Sequence, residues 1–237
     1  HLEDTLEPLA RSRRLGLENG DVSNAIIAGI SACKFEFLLG RNLQSVEKNL
    51  EERIAEAKQH QQTSRYYMGG IYLQMTQNLT RYVNTPWLLE GDACSENELI
   101  QPLVARAEDT FSANFFIAKL YLAFVFGRID HALSFADQVA RNTHSIRVAP
   151  ILTFFKAFET LACINSLANA TPTQKIALKI RIWRNRRLLR KWAHHSPENI
   201  LHRLHLVEAE LAAHQGKQSK AIKHFELAIR FAQENGY

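Results

Sequence analysis

The residues best placed to do chemistry lie between Thr171 and His195. Eight of the chain's 29 Lys and Arg fall there, and no acid does: Lys175, Lys179, Arg181, Arg184, Arg186, Arg187, Arg190 and Lys191. Cations at this density can meet nucleic-acid phosphates, an acidic protein partner or an anionic membrane surface. They can equally be a solvated face, paired with acids of neighbouring helices. Ile176, Ile180 and Trp183, continued by Leu188 or Leu189 and Trp192, read as an inward stripe. That stripe favours a packed helix over the interaction readings. If the face does bind, the interaction surface is Arg181, Arg184, Arg186, Arg187, Arg190 and Lys191, and a protein is preferred to nucleic acid.

Other reactive side chains form no set. His194, His195, His202 and His205 cluster in sequence, but no cysteine or nearby carboxylate completes a zinc site. Cys33, Cys94 and Cys163 are far apart and show no CxxC spacing, which fits free thiols in a reducing cytoplasm. Glu47, Glu51, Glu52 and Glu56 read as a solvated helix face. Asn78-Leu79-Thr80 and Asn169-Ala170-Thr171 match the glycosylation pattern by chance, since no secretory signal accompanies them. There is no phosphate loop, GxGxxG, HExxH or GxSxG. No catalytic, cofactor-binding or metal-binding residue is therefore assigned, and the segment reads as non-enzymatic.

The elements that would carry these residues are helices. Apolar residues recur every three or four positions, and runs with strand-like alternation are few. Expected helices cover Thr5–Asn19, Val22–Leu39, Leu43–His60, Ser64–Asn84, Glu96–Asp109, Phe111–Phe126, Ile129–Asn142, Ala149–Asn169 and Thr171 to about His194. Asn199–Tyr237 then reads as a helical hairpin turning at Gly216. Its stripes are Ile200, Leu204, Val207 and Leu211, then Ile222, Phe225, Ile229 and Ala232. Ala221 and Phe225 have the spacing of the second helix of a tetratricopeptide repeat. Gly127 to Ala132 repeats the Gly216 to Ala221 spacing. LENG before Asp21 echoes QENG before Tyr237. Gly69-Gly70 inside a helix suggests close approach of a neighbour or a kink. Thr85–Ser95 is the longest apparent loop, with Trp87, Leu88 and Leu89 expected to tuck back.

The expected fold is all-α: an irregular α-α superhelix of tetratricopeptide-like hairpins, about ten helices. Residues 1–237 form one array, with the best-formed repeats at 111–143 and 199–237. The ends at His1 and Tyr237 read as cuts in a longer chain. Of the 237 residues, 46% are hydrophobic and 22% charged, an ordinary globular balance. The net charge of +5 belongs to the basic helix: without its eight cations, 21 basic residues face 24 acidic ones. The most apolar run, Ala149 to Ala168, contains Lys156 and Glu159 and reads as a buried helix rather than a membrane span.

The segment from Lys191 onward also resembles a known family. The residues that carry the resemblance are Lys191-Trp192-Ala193, Pro197, Asn199, His202, Leu206-Val207-Glu208-Ala209-Glu210, Ala228-Ile229, Ala232 and Asn235-Gly236. Upstream, Leu15-Gly16, Gly20-Asp21 and Leu88-Leu89-Glu90-Gly91 add to it. It resembles the helical region of large bacterial signalling proteins. Those join a serine/threonine-kinase-like domain, a STAND-type AAA ATPase, such an array, a GAF domain and a sensor histidine kinase. None of the family's catalytic motifs lies here. The resemblance implies a cytoplasmic interaction arm that regulates an ATPase or kinase in signal transduction. Its partners would be proteins or neighbouring domains of the same chain. The alternative is a ligand-binding sensor arm of a STAND-type ATPase or transcription activator.

Overall fold

The computed structural model describes residues 1–96, 109–141 and 150–237. Among these residues ten α-helices and a short 3-10 turn form, and no strand does. The helices are α1 Leu6–Glu18, α2 Val22–Leu38, α3 Leu43–Gln59, α4 Thr63–Thr80, α5 Asp109–Val125, α6 Ile129–Arg141, α7 Ile151–Ser166, α8 Pro172–His195, α9 Pro197–His214 and α10 Gln218–Glu234. The all-α class expected from the periodicity is the one adopted. The expected helix Glu96–Asp109 lies almost wholly outside the described residues. Two compact units result, one of residues 2–122 and one of residues 123–237 together with His1.

In the first unit α2 supplies most of the early core. Ile26, Ile30, Cys33 and Phe37, spaced by three or four, are all buried. Asp21 starts this helix by accepting the Asn24 backbone N–H. Val46, Leu50 and Ala57 of α3 are fully buried. Close approach accounts for the glycine pair in α4. A Cβ on Gly69 would sit 2.7 Å from Ile54 Cγ1, and one on Gly70 would sit 3.1 Å from the Ala93 carbonyl. The helix ends at Thr80, four residues before the expected Asn84. Tyr82 consequently lies outside it and is exposed, not on the helix's inner side as expected.

The segment after α4 is pinned from within. Asn78 Nδ2 donates to the carbonyls of Pro86 and Leu88, and Gln74 Oε1 accepts the Ala93 N–H. Leu89 is fully buried and Trp87 and Leu88 partly so, as expected. Glu47 and Glu56 are only partly exposed. Glu56 accepts from Arg13 and Arg53, and Glu47 from Arg81. Two of the glutamates of α3 are thus held in structural ion pairs rather than lying on a wholly solvated face.

In the second unit consecutive helices pack on each other from α6 to α10, and α7 also packs on α9. The core is built from Leu161, Cys163, Ile164, Leu167, Ile182, Leu189, Ala193, Ile200, Leu204 and Val207. Two turns of this unit share one geometry. Gly127 and Gly216 have φ of 72° and 70°, a left-handed conformation that costs a side chain but not glycine. After each, the next residue's N–H reaches back to a carbonyl five residues earlier, Arg128 to Ala123 and Lys217 to Ala212. The following helix is then tied in by Ala132 to Arg128 and Ala221 to Lys217. The two echoed Asn-Gly stops also match: Asn19 Nδ2 donates to the Leu15 carbonyl and Asn235 Nδ2 to that of Phe231.

The two helices of the last hairpin bury their stripes differently. Ile200, Leu204 and Val207 of α9 are buried as read. In α10 the buried residues are Ala221 and Ala228, while Ile222 and Ile229 are exposed. Small residues let α10 lie close to α9, and that contact turns the isoleucines outward.

Candidate interaction surface

Thr171 starts the basic helix with both halves of a capping box. Its hydroxyl accepts the Gln174 N–H, and its own N–H donates to the Gln174 side chain. Pro172 occupies the first turn, where no N–H is needed. From there α8 runs 24 residues between α7 and α9.

The inner side of α8 is Ile182, Asn185, Leu189 and Ala193, all buried. This corrects the first part of the inward stripe expected from sequence; of its continuation, Leu189 is buried and Trp192 half-buried. Ile176 is 62% exposed, Ile180 47% and Trp183 57%. The physical reason lies on the neighbouring helices. Glu159 of α7, 2% exposed, accepts from Lys156 Nζ at 2.7 Å, Arg181 Nε at 2.5 Å and Asn185 Nδ2 at 2.9 Å. A buried carboxylate without such donors would cost several kcal/mol, roughly 3–5. Arg181 and Asn185 must therefore face α7, which rotates Ile176, Ile180 and Trp183 away from the core.

The six residues expected to form an interaction surface split into two sets. Arg181 bridges Glu159 and, through Nη1 at 2.7 Å, Asp137. Burial alone would lower its pKa; the charge of Glu159, with the hydrogen bonds to Glu159 and Asp137, raises it instead. Arg186 holds both oxygens of Glu208 at 3.0 and 2.6 Å, and Arg190 adds a bond at 2.7 Å. Burial would push the Glu208 carboxyl up, but the two guanidiniums outweigh it and hold it below its ordinary value. These three arginines fasten α8 to α6, α7 and α9. The other three, Arg184, Arg187 and Lys191, are exposed, as is Lys179. Among the described residues no ion pair engages Lys179, Arg184 or Lys191. Arg187 lies over the Trp183 ring at 5.8 Å.

The outcome is one helix with two chemistries. Its shoulders carry structural ion pairs, and its outer face carries three apolar side chains edged by cations. The sequence suggests pairing of this face with acids of neighbouring helices, and the structure names them as Asp137, Glu159 and Glu208. Lys156 and Glu159 stood out only as charges in an apolar run. Their spacing of three on one helix was the available signal, and it pointed to a buried pair.

The histidines separate. His202 is held neutral, its pKa lowered to about 3 chiefly by burial and then by Arg203, and its ring lies 4.0 Å from that of Tyr237. His205 Nδ1 is 2.9 Å from His224 Nδ1, so one ring donates and the other accepts. Burial is the first cause that lowers both pKa values; His224 adds to it at His205, and Lys220, Lys223 and Arg186 add to it at His224, with Glu208 opposing at both. No group of three His, Cys, Asp or Glu among the described residues could hold a metal. Cys33, Cys94 and Cys163 are buried thiols, and burial pushes Cys33 and Cys163 up to about 12. No helix among the described residues is long and apolar enough to cross a membrane.

A cleft of about 610 Å³ opens within the second unit, lined by Asp130, Leu133, Asp137, Asn165, Asn169 and Arg181 among others. Its single cation is the Arg181 already shared by Glu159 and Asp137. Comparison with family models, curated proteins and solved structures found no match.

Proposed function

We propose that this chain is a non-catalytic protein-binding module and that the outer face of α8 is its contact surface. The observation that carries this is the exposure of Ile176, Ile180 and Trp183 together on one helix. Scattered exposed apolar residues are ordinary, but contiguous ones edged by charge mark sites where another molecule docks. The resemblance of the segment after Lys191 gives the proposal a setting. The module would be an arm beside an ATPase or kinase in a bacterial signalling protein, and occupancy of its surface would bias that enzyme.

A photo-crosslinking residue placed at Ile180, in the cell that makes the protein, tests the reading. A protein adduct is expected there, and none at the exposed Glu51 of α3. Absence of any protein adduct at position 180 would remove the proposal.

The second reading, a ligand-binding sensor, draws on the cleft beside Arg181. It is the weaker one, because the guanidinium that would greet an anion is already neutralised by two carboxylates.

A further inference from the structure

We propose that the outer face of α8 is one half of a helix–helix seam whose other half is an acidic amphipathic helix. That partner carries apolar residues along its seam and carboxylates on both flanks. The inference rests on the protein-binding reading above and names the chemistry of the partner.

Spacing comes first. Ile176, Ile180, Trp183 and Arg187 follow one another at intervals of four, three and four residues. That alternation keeps one line of side chains facing a second helix, as in the apolar seam of a coiled coil. In heptad terms Ile176 and Trp183 take one seam position, and Ile180 and Arg187 take the other. The places that border such a seam fall on Lys179 and Arg186 on one side, and on Ala177, Arg184 and Lys191 on the other. Four of these five are cationic, and bordering charges select the partner of a paired helix.

Availability comes second. Arg186 is occupied by Glu208 inside the unit, whereas Lys179, Arg184 and Lys191 are exposed and outside the ion pairs that fasten α8. The helix itself carries no acid that could answer them. The surrounding charge has the same sign. Residues 123–237 hold seventeen Lys and Arg against eight Asp and Glu, a balance of +9, while residues 2–122 balance at −4.

Complementarity then selects among occupants. A second copy of this helix would set Lys179, Arg184 and Lys191 against their own kind in either orientation, and like charges facing each other destabilise a pair. A nucleic acid would satisfy the cations but leave Ile176 and Ile180 against phosphates. A helix with apolar seam residues and flanking glutamates satisfies both. A Glu from it would also reach Arg187, the charge that interrupts the apolar line after Trp183. With only three apolar residues in the seam, charge carries much of the recognition, so binding is expected to be salt-sensitive.

The test uses the full chain and two labelled designed helices with the same apolar seam, one with Glu at all flanking places and one with Lys. Binding is read by fluorescence anisotropy. The Glu helix is expected to bind, and to weaken about tenfold when NaCl rises from about 50 to about 300 mM. The Lys helix is expected not to bind. In the double variant Lys179→Glu/Arg184→Glu the preference should reverse, with circular dichroism confirming that helicity is kept. Ile180→Ser should weaken both pairings. Equal binding of the two helices, or binding of neither, would overturn the inference. So would an unchanged preference in the double variant, or saturable binding of phosphatidylserine vesicles or single-stranded RNA in place of the Glu helix. If these arms fail while the crosslink at position 180 still captures protein, the module reading stands and only the partner's chemistry is wrong.

Discussion

Glu159 is the residue on which the orientation of α8 turns. It is almost fully buried and accepts from three side chains on two helices. Glu159→Ala leaves Lys156, Arg181 and Asn185 facing an emptied site. The expected loss is about 3–5 kcal/mol in urea unfolding, because one partner of a buried charge set is removed while the others stay. Arg184→Ala, on the outer face, is expected to change stability by less than about 0.5 kcal/mol.

His202 makes a separate prediction in pH. Its folded pKa is about 3, against an ordinary value of 6.5. The unfolded chain therefore takes up a proton that the folded chain refuses, and stability falls as pH drops through 6.5 toward 3. His205 and His224 are lowered too and act in the same direction. Between about pH 6.5 and about pH 5 most carboxylates are still ionised in both states, so the histidines dominate that window. His202→Phe keeps a ring against Tyr237 but cannot titrate. The variant should show a shallower fall of Tm over that window than the parent, measured by circular dichroism. An equal slope would show that burial of His202 does not couple to folding.

At the scale of elements, the helices are set by periodicity and their ends by glycine. Gly127 and Gly216 sit in the same left-handed turn with nothing within 4 Å of a built Cβ. Gly127→Ala and Gly216→Ala should each cost about 1 kcal/mol, and cost the same, since only backbone conformation is penalised. Gly69→Ala tests a different cause. It gains helix propensity but drives a methyl into Ile54 at 2.7 Å. A net loss of about 1–2 kcal/mol is expected, the overpacking outweighing the propensity. Urea midpoints of the three variants compare them directly.

Element boundaries were legible in the chain to within a few residues because these signals are local. Asp21, Thr171 and the Asn-Gly stops do in the structure what their types suggest. The facing of α8 was not legible. Ile176, Ile180 and Trp183 make as regular a stripe as Ile182, Leu189 and Ala193, so periodicity alone cannot choose between them. The choice is made by Glu159 and Glu208, residues of other helices that need the arginines on the opposite edge. The same holds in α10, where two isoleucines form the more hydrophobic stripe, yet two alanines give the closer fit to α9. In both helices a non-local demand overrides the pattern. The candidate surface was therefore half legible: its cations were seen, and its exposed apolar line was assigned to the core.

At the scale of the whole molecule, charge is unevenly shared. The +9 balance of residues 123–237 and the −4 balance of residues 2–122 make the chain strongly polar in composition. Eight of the seventeen cations lie on α8, which holds no acid; three of them are structural, and Lys179, Arg184, Arg187 and Lys191 are exposed. The burial of the three thiols has a practical side. Two of them titrate near 12, and all three are closed off from solvent. Thiol reagents at neutral pH act on the thiolate, so the folded protein offers them almost no target. A cysteine introduced at Arg184 would then react selectively, and the unaltered chain supplies its own blank. A dye, spin label or tether can be attached to the outer face of α8 without first removing any native cysteine.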